Sequence, residues 1–221
     1  MAEPEAFLID VYETILTAGL TEGFEQRRRE LATMAGVPVA AWSTGLAGLA
    51  HELNVGRLTL ADAFERVIRA SGGDPRPELV HELVRKDRDL LLSSARLYDD
   101  ALPFLELLRS RGVRIAIVSN CSENTRPLLY KLGISDRADA LILSCEVGYA
   151  KPAAQVYWHA LDRLGVAAGA AVFVDDQPAF CAGAAALGIS AVQIIRDEAS
   201  GRPPAPGSAV VRSFGQLEGM L

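Results

Sequence analysis

The chain has 221 residues, half of them hydrophobic, and its 22 basic and 28 acidic side chains give a formal net charge of −6. This length and composition are typical of a packed globular protein and exclude a disordered or fibrous chain. The acidic balance argues against a general attraction to nucleic acid or to an anionic membrane, so an anionic substrate would need a local cluster of positive groups.

The cysteines and the N-terminal segment favour a cytoplasmic protein. Cys121, Cys145 and Cys181 lack the close spacing of a zinc site and are odd in number, which favours reduced thiols over a disulfide framework. Residues 1–6 are mostly acidic or apolar and lead into a short apolar run, a pattern typical of neither a signal peptide nor a membrane anchor.

The first predicted element is a buried strand within residues 6–10, ending at Asp10. Its continuous apolar run suits a strand covered on both faces of a parallel sheet, and the carboxyl ends of such strands are where α/β proteins place their chemistry. A helical block follows between about residues 17 and 99, because apolar residues recur at three- and four-residue spacings. We expect helices over 24–36, 39–53, 60–70 and 78–92, with no strand among them.

From residue 100 the pattern alternates between strand and helix. Strands are predicted at 113–119, 140–143, 171–175 and 190–195, and helices at 102–110, 124–132, 153–164 and 180–187. After a loop over 197–208, we expect a short strand at 209–211 and a terminal helix at 214–221. The alternation predicts an α/β fold with a Rossmann-like, doubly wound parallel sheet.

The helical block interrupts this pattern after a single strand. We therefore interpret residues 17–98 as an inserted α-helical cap over the carboxyl edge of the sheet, and residues 1–16 and 99–221 as the core domain.

Four short segments carry polar residues in an order that suits phosphate-type chemistry. They are LIDVYET from Leu8, IVSN from Ile117, GYAKP from Gly148 and VFVDD from Val172. In this order they resemble the four motifs of the haloacid dehalogenase superfamily, over roughly residues 6–195. The helical insertion resembles the cap of the subfamily in which a cap follows the first motif.

The resemblance implies roles for the polar residues of the first three motifs. Asp10 is expected to be the nucleophile, which forms an aspartyl intermediate that water hydrolyses, and Thr14 belongs to the same catalytic set. The Ser119 hydroxyl and the Asn120 backbone N–H are expected to bind an oxygen of the transferred group. Lys151 would neutralise Asp10 and the substrate, and we place it at a helix start because Pro152 suits the first helical position.

The fourth motif predicts a metal site. The adjacent carboxylates of Asp175 and Asp176 repel each other unless a hard cation lies between them and a third ligand. By resemblance, they would hold Mg²⁺ together with Asp10 and the main-chain carbonyl of Tyr12. Asp176 is expected to be the more direct ligand and Asp175 its support.

Tyr12 departs from the phosphatase pattern, which has a second aspartate there to protonate the leaving group and then activate water. A phenol has an ordinary pKa of about 10, so it donates a hydrogen bond but is a poor base. Tyrosine here is similar to the 2-haloacid dehalogenases, which work without metal and have small polar residues in place of Asp175 and Asp176.

Three functions remain open at this point. We favour Mg²⁺-dependent hydrolysis of a small phosphorylated metabolite with weak activity, because two acids beside Asp10 without a cation would oppose an anionic haloacid. The alternatives are a 2-haloacid dehalogenase and a catalytically silent binding module.

Substrate selection in capped members of this superfamily rests with the cap. Arg27, Arg28 and Arg29 form a basic run on the first predicted cap helix, where at most one or two can face the site. We take Arg28 as the candidate contact to a small anionic substrate.

Overall fold

The computed structural model describes residues 3–17, 22–197 and 203–221 and has the predicted α/β architecture. The strands are β1 (Ala6–Ile9), β2 (Leu16–Thr17), β3 (Arg96–Leu97), β4 (Arg114–Ser119), β5 (Ala140–Leu143), β6 (Ala171–Asp175), β7 (Ser190–Ile194) and β8 (Ala209–Val211). Six of them form a parallel sheet in the order β5-β4-β1-β6-β7-β8. The Rossmann-like prediction is therefore confirmed.

The helices agree with the predicted positions to within two residues at nearly every end. They are α1 (Glu22–Ala35), α2 (Val39–Asn54), α3 (Leu60–Ala70), α4 (Pro77–Ser94), α5 (Ala101–Ser110), α6 (Thr125–Lys131), α7 (Ser144–Val147), α8 (Ala154–Leu164) and α9 (Pro178–Ala185). The boundary of α3 is marked in the sequence by a capping box, in which the Thr59 hydroxyl accepts from the Asp62 N–H and the Asp62 carboxylate accepts from the Thr59 N–H.

Several local details differ from the predictions. The terminal helix occupies Phe214–Met220 but is a 3-10 helix, and the short elements β2, β3 and α7 were not foreseen because two to four residues show no periodicity. Pro152 is not the first residue of a helix, since α8 begins at Ala154 and the Lys151–Pro152 peptide is cis, within the turn before it. The predicted loop over 197–208 lies partly outside the described residues.

β1 is the central strand, and its position creates the crevice for a site. It is buried on both faces and pairs with β4 on one side and β6 on the other, so that the strand order reverses around it. Hydrophobic clusters cover the two faces, with Phe7 and Ile9 in one and Leu8 in the other. In doubly wound sheets, ligands bind beyond the carboxyl ends of the strands at this reversal.

The four helices α1–α4, which we call the helical insertion, have a hydrophobic cluster of their own. Its centre contains Trp42 and Phe64, whose rings lie 5.1 Å apart. The antiparallel pair of β2 and β3 joins the two ends of the insertion. The division of the chain at residues 17 and 98 stays a prediction. Within the part of the chain described, no helix combines the length and apolar character that crossing a membrane requires.

Candidate active site

Three carboxylates meet at the carboxyl edge of the sheet. Ile9 of β1 pairs with Val174 of β6, so Asp10 and Asp175, the next residues along each strand, become neighbours. Asp176 follows, and one carboxylate oxygen from each of the three aspartates lies within 4.8 Å of the others. All three side chains are buried. The sequence-predicted acidic cluster is therefore assembled, with the oxygen donors that a hard cation prefers.

Lys151 supplies a positive charge inside this cluster. Its Nζ donates to Asp10 Oδ1 at 2.5 Å, to Asp175 Oδ2 at 2.6 Å and to the Val118 carbonyl at 3.0 Å. Burial raises the pKa of Asp10 to about 6 against the opposing effect of Lys151. Burial alone would lower the pKa of Lys151, but the carboxylates of Asp10 and Asp175 raise it above its ordinary value. The lysine is thus held as an ammonium between the two acids.

Asn120 fixes the backbone of Lys151. Its side-chain amide donates to the Lys151 carbonyl at 2.9 Å and accepts from the Lys151 N–H at 2.7 Å. This pair of bonds presents the lysine from a turn and not from a helix. The sequence singled out Asn120 for its backbone N–H, and nothing in its motif predicted this use of its side chain.

Two hydroxyls in the first and second motifs are buried without a protein partner. Among the described residues, neither Thr14 Oγ1 nor Ser119 Oγ has a hydrogen-bond partner, and both side chains are fully buried. Leaving a buried hydroxyl unsatisfied costs about 1–3 kcal/mol. Both groups have unused hydrogen-bonding capacity that a bound ligand can satisfy.

Tyr12 faces α6. Its hydroxyl lies 2.9 Å from Thr125 Oγ1, and burial raises the pKa of the phenol above its ordinary value of 10. A phenol in this state keeps its proton at neutral pH and cannot act as a general base.

In the basic run of α1, it is Arg27 that faces the core domain. Its guanidinium donates two bonds to Asp87 of α4 at 2.8 and 2.7 Å, and Asp87 also accepts from Asn124 Nδ2 at 2.8 Å. Arg28 is half exposed and pairs with Glu25 at 3.0 Å. This partly buried ion pair between α1 and α4 was not visible in the sequence, because Arg27 and Asp87 are 60 residues apart.

Arg196 supports the first motif from behind. Its guanidinium donates to the Thr14 carbonyl at 3.1 and 2.7 Å and to the Asp100 carboxylate at 2.8 Å. It lies 4.3 Å from the ring of Tyr98 and 4.6 Å from that of Phe214. The loop that carries Thr14 is therefore tied to the end of the chain, through a residue that the motif analysis did not single out.

Comparisons with known proteins point to one family of hydrolases. A family model described as haloacid dehalogenase-like hydrolase matches residues 4–188. The chain is 36% identical over 131 residues to a ribulose-1,5-bisphosphate 5-phosphatase of Halopiger xanaduensis, which covers 58% of this chain and 55% of that protein. It is 32% identical over 142 residues to (S)-2-haloacid dehalogenase 4A of Burkholderia cepacia, covering 61% and 60%. The matches therefore span less than two thirds of either relative.

Among solved structures, a HAD phosphatase from Thermococcus onnurineus superposes with a TM-score of 0.70. The two chains are 25% identical, and the superposition covers 98% of this chain and 97% of that one. The similarity thus includes the helical insertion as well as the sheet.

Proposed function

The chain belongs to the haloacid dehalogenase-like hydrolase family, and we propose that it hydrolyses a small phosphorylated metabolite through an aspartyl intermediate on Asp10. In this proposal Asp10, Asp175, Asp176 and the carbonyl of Tyr12 bind Mg²⁺. The observation that carries it is the buried cluster of three carboxylates with a single lysine among them.

The charge of this cluster favours a divalent cation. Three carboxylates surround the Lys151 ammonium in a buried site, where like charges repel strongly. Bound Mg²⁺ would offset this repulsion and the charge of a phosphoryl group beside Asp10. Without a cation, the same carboxylates would oppose an anionic substrate of any kind.

The chain's own residues prepare the nucleophile. Lys151 holds one oxygen of Asp10, so the carboxylate is oriented before a substrate arrives. With its pKa at about 6, Asp10 is mainly ionised at neutral pH. We assign to the Thr14 and Ser119 hydroxyls the role of donors to the phosphoryl oxygens, because burial leaves them without protein partners.

Tyr12 limits the rate in this proposal. Burial keeps its phenol protonated, so it can donate a hydrogen bond to a leaving alkoxide but cannot take a proton from water. We therefore expect formation of the aspartyl intermediate to be faster than its hydrolysis, and overall turnover to be weak.

Phosphate release from an activated aryl phosphate tests the proposal. We expect release that Mg²⁺ stimulates, that a chelator stops and that Asp10→Asn abolishes. Glu106→Gln, which removes an exposed carboxylate on α5, is the matched control and should leave the rate unchanged. Absence of phosphate release from any phosphate ester at every Mg²⁺ concentration would contradict the proposal.

Tyr12→Asp tests whether the missing acid limits turnover. A carboxylate here can serve as both acid and base, so we expect the phosphatase rate to rise by tenfold or more, on the order of 1.4 kcal/mol in the barrier. Tyr12→Phe, which only removes the hydroxyl, should not raise it. An unchanged rate in Tyr12→Asp would show that another step is limiting.

Tyr12 also favours a second candidate, 2-haloacid dehalogenation, in which the leaving halide needs no proton. That activity would release halide from a 2-haloacid in the presence of a chelator. A silent binding module would show neither reaction, and its affinity for a partner would survive Asp10→Asn.

We further propose that the helical insertion is a cap and that Arg28 contacts the substrate. The Leu60 N–H donates to the Glu123 carboxylate at 2.8 Å, just beyond the carboxyl end of β4, which supports a position over the site. A cavity of about 250 Å³ inside the insertion is lined partly by Arg28 and Trp42. Arg28→Ala should raise KM for an anionic substrate and leave kcat little changed.

A cytoplasmic location, supported by cysteines that are all thiols, is also proposed.

A further inference from the structure

Two cysteines lie side by side next to the candidate site. β4 and β5 are parallel neighbours, with Ser119 opposite Leu143 in register. Cys121 and Cys145 each follow two residues later, so the sheet register places them at adjacent positions beyond the strand ends. This juxtaposition comes from strand pairing, because the two residues are 24 positions apart in the chain.

The surroundings of the two cysteines hold them together. The Cys121 N–H donates to Ser144 Oγ at 2.9 Å, which ties it to the residue before Cys145. The Ser144 hydroxyl also donates to the Cys121 carbonyl at 3.5 Å, so the backbone of Cys121 is held on both its N–H and its carbonyl by the residue before Cys145. Cys145 is partly exposed at the protein surface, and Cys121, which is 4% exposed, is buried beneath that surface.

The contact also makes the two thiols chemically different. The hydrogen bond from Cys145 lowers the pKa of Cys121, whereas the same bond and burial raise the pKa of Cys145. The thiolate is the reactive form of cysteine, so Cys121 is the better nucleophile of the two.

We propose that Cys121 and Cys145 are a modification site at which a hydroperoxide oxidises the two thiols to an intramolecular disulfide. The Cys121 thiolate attacks one peroxide oxygen, so an S–O bond forms, the O–O bond breaks and water leaves after taking a proton. The Cys145 sulfur then attacks the Cys121 sulfur, so the S–S bond forms and the oxygen leaves as a second water. In total, two thiols and one H₂O₂ give one disulfide and two waters.

The disulfide would act on the candidate site through two neighbours. Cys121 follows Asn120, whose side chain holds the backbone of Lys151. Cys145 lies against the insertion, where a Cβ added at Gly56 would be 2.0 Å from its carbonyl oxygen. An S–S bond of about 2.05 Å draws the segment of Cys121 toward α7, so we expect oxidation to disturb both contacts. This effect on turnover rests on the proposed function, whereas disulfide formation does not.

The test compares reduced protein with protein treated with hydrogen peroxide and then alkylated under denaturing conditions. Before alkylation the peroxide-treated wild type should be about 2 Da lighter, the mass of two hydrogens, and alkylation should then label one of its three cysteines. Tryptic peptides 115–131 and 138–163 should be joined, and peptide 164–196, which contains Cys181, should be alkylated. Cys121→Ser and Cys145→Ser should abolish the 2 Da loss.

Cys181→Ser is the matched control. Cys181 is buried in the hydrophobic cluster on the opposite face of the sheet, so this variant should still lose 2 Da. Free glutathione in the same sample reports that the peroxide is active. Wild-type protein that keeps three thiols while this glutathione is oxidised would overturn the proposal. A disulfide link to peptide 164–196 or to a second chain would overturn it as well. If Cys121→Ser does not fold, the partly exposed Cys145→Ser gives the same test.

A second measurement separates this proposal from the proposed function. We expect oxidation to lower Mg²⁺-dependent phosphatase activity about tenfold, roughly 1.4 kcal/mol in the barrier, and dithiothreitol to restore it. Cys145→Ser should keep its activity under peroxide. A disulfide that forms without loss of activity would overturn the coupling to the site, and an inactive reduced protein would count against the proposed function alone.

Discussion

Arg196→Met removes a guanidinium that holds the first motif in place. The Arg196 side chain is 6% exposed and donates to the Thr14 carbonyl and to Asp100, and hydrogen bonds of a charged group contribute about 1.5–3 kcal/mol each. Asp100 is 28% exposed and also accepts from the Phe214 N–H, so the bond from Arg196 to Asp100 contributes nearer to 1 kcal/mol to stability. Methionine keeps the apolar packing between the rings of Tyr98 and Phe214. We therefore expect the free energy of unfolding to fall by about 3 kcal/mol.

Urea titration at pH 7 measures this loss, and thermal unfolding should show a decrease in Tm of roughly 6–12 °C for a chain of this size. Arg196→Lys is the control, because an ammonium keeps the charge but can bond either Thr14 or Asp100 and not both well. It should recover about half of the lost stability, or roughly 1.5 kcal/mol. A loss below about 1 kcal/mol in the methionine variant would refute the reasoning, because the network would then not hold the loop.

Further variants test the other contacts around the site. Gly56→Ala should displace the insertion, because the new Cβ would lie 2.0 Å from the Cys145 carbonyl oxygen and residue 56 has a φ of +67°. Faster limited proteolysis between α2 and α3 would show this displacement, and an unchanged rate would contradict it. Lys151→Met leaves Asp10 and Asp175 buried without their counter-ion. The free energy of unfolding, measured by urea titration at pH 7, should therefore fall by about 3–5 kcal/mol. A loss below about 1 kcal/mol would argue against the ion pairs. In chelator, the folded pKa of Asp10, about 6, exceeds its ordinary value of 3.8. Its stabilising contribution is therefore present below pH 4 and lost as pH rises through 6. Over this range the free energy of unfolding of the wild type should fall by up to about 3 kcal/mol relative to that of Asp10→Asn. A difference between the two proteins that does not change with pH would contradict this.

Local sequence was sufficient to predict most of the fold. Apolar runs and helical spacing are properties of neighbouring residues, so β5, β6 and α3 were predicted with the bounds that the structure has. The order of the motifs also identified the edge of the sheet at which Asp10, Asp175 and Asp176 meet, since parallel strands bring their carboxyl ends to one edge.

The sequence predicted that Lys151 would neutralise Asp10, but the other partners of the site residues were decided by tertiary structure. Lys151 lies between two aspartates that are 141 and 24 residues away, and Asn120 holds it from 31 residues away. Such contacts depend on strand register and on the path of a turn, neither of which leaves a periodic pattern in the sequence. For the same reason the sequence identified which residue types gather at this edge, while only the folded chain determined that Lys151 bonds both Asp10 and Asp175 and that Cys121 and Cys145 lie at adjacent positions.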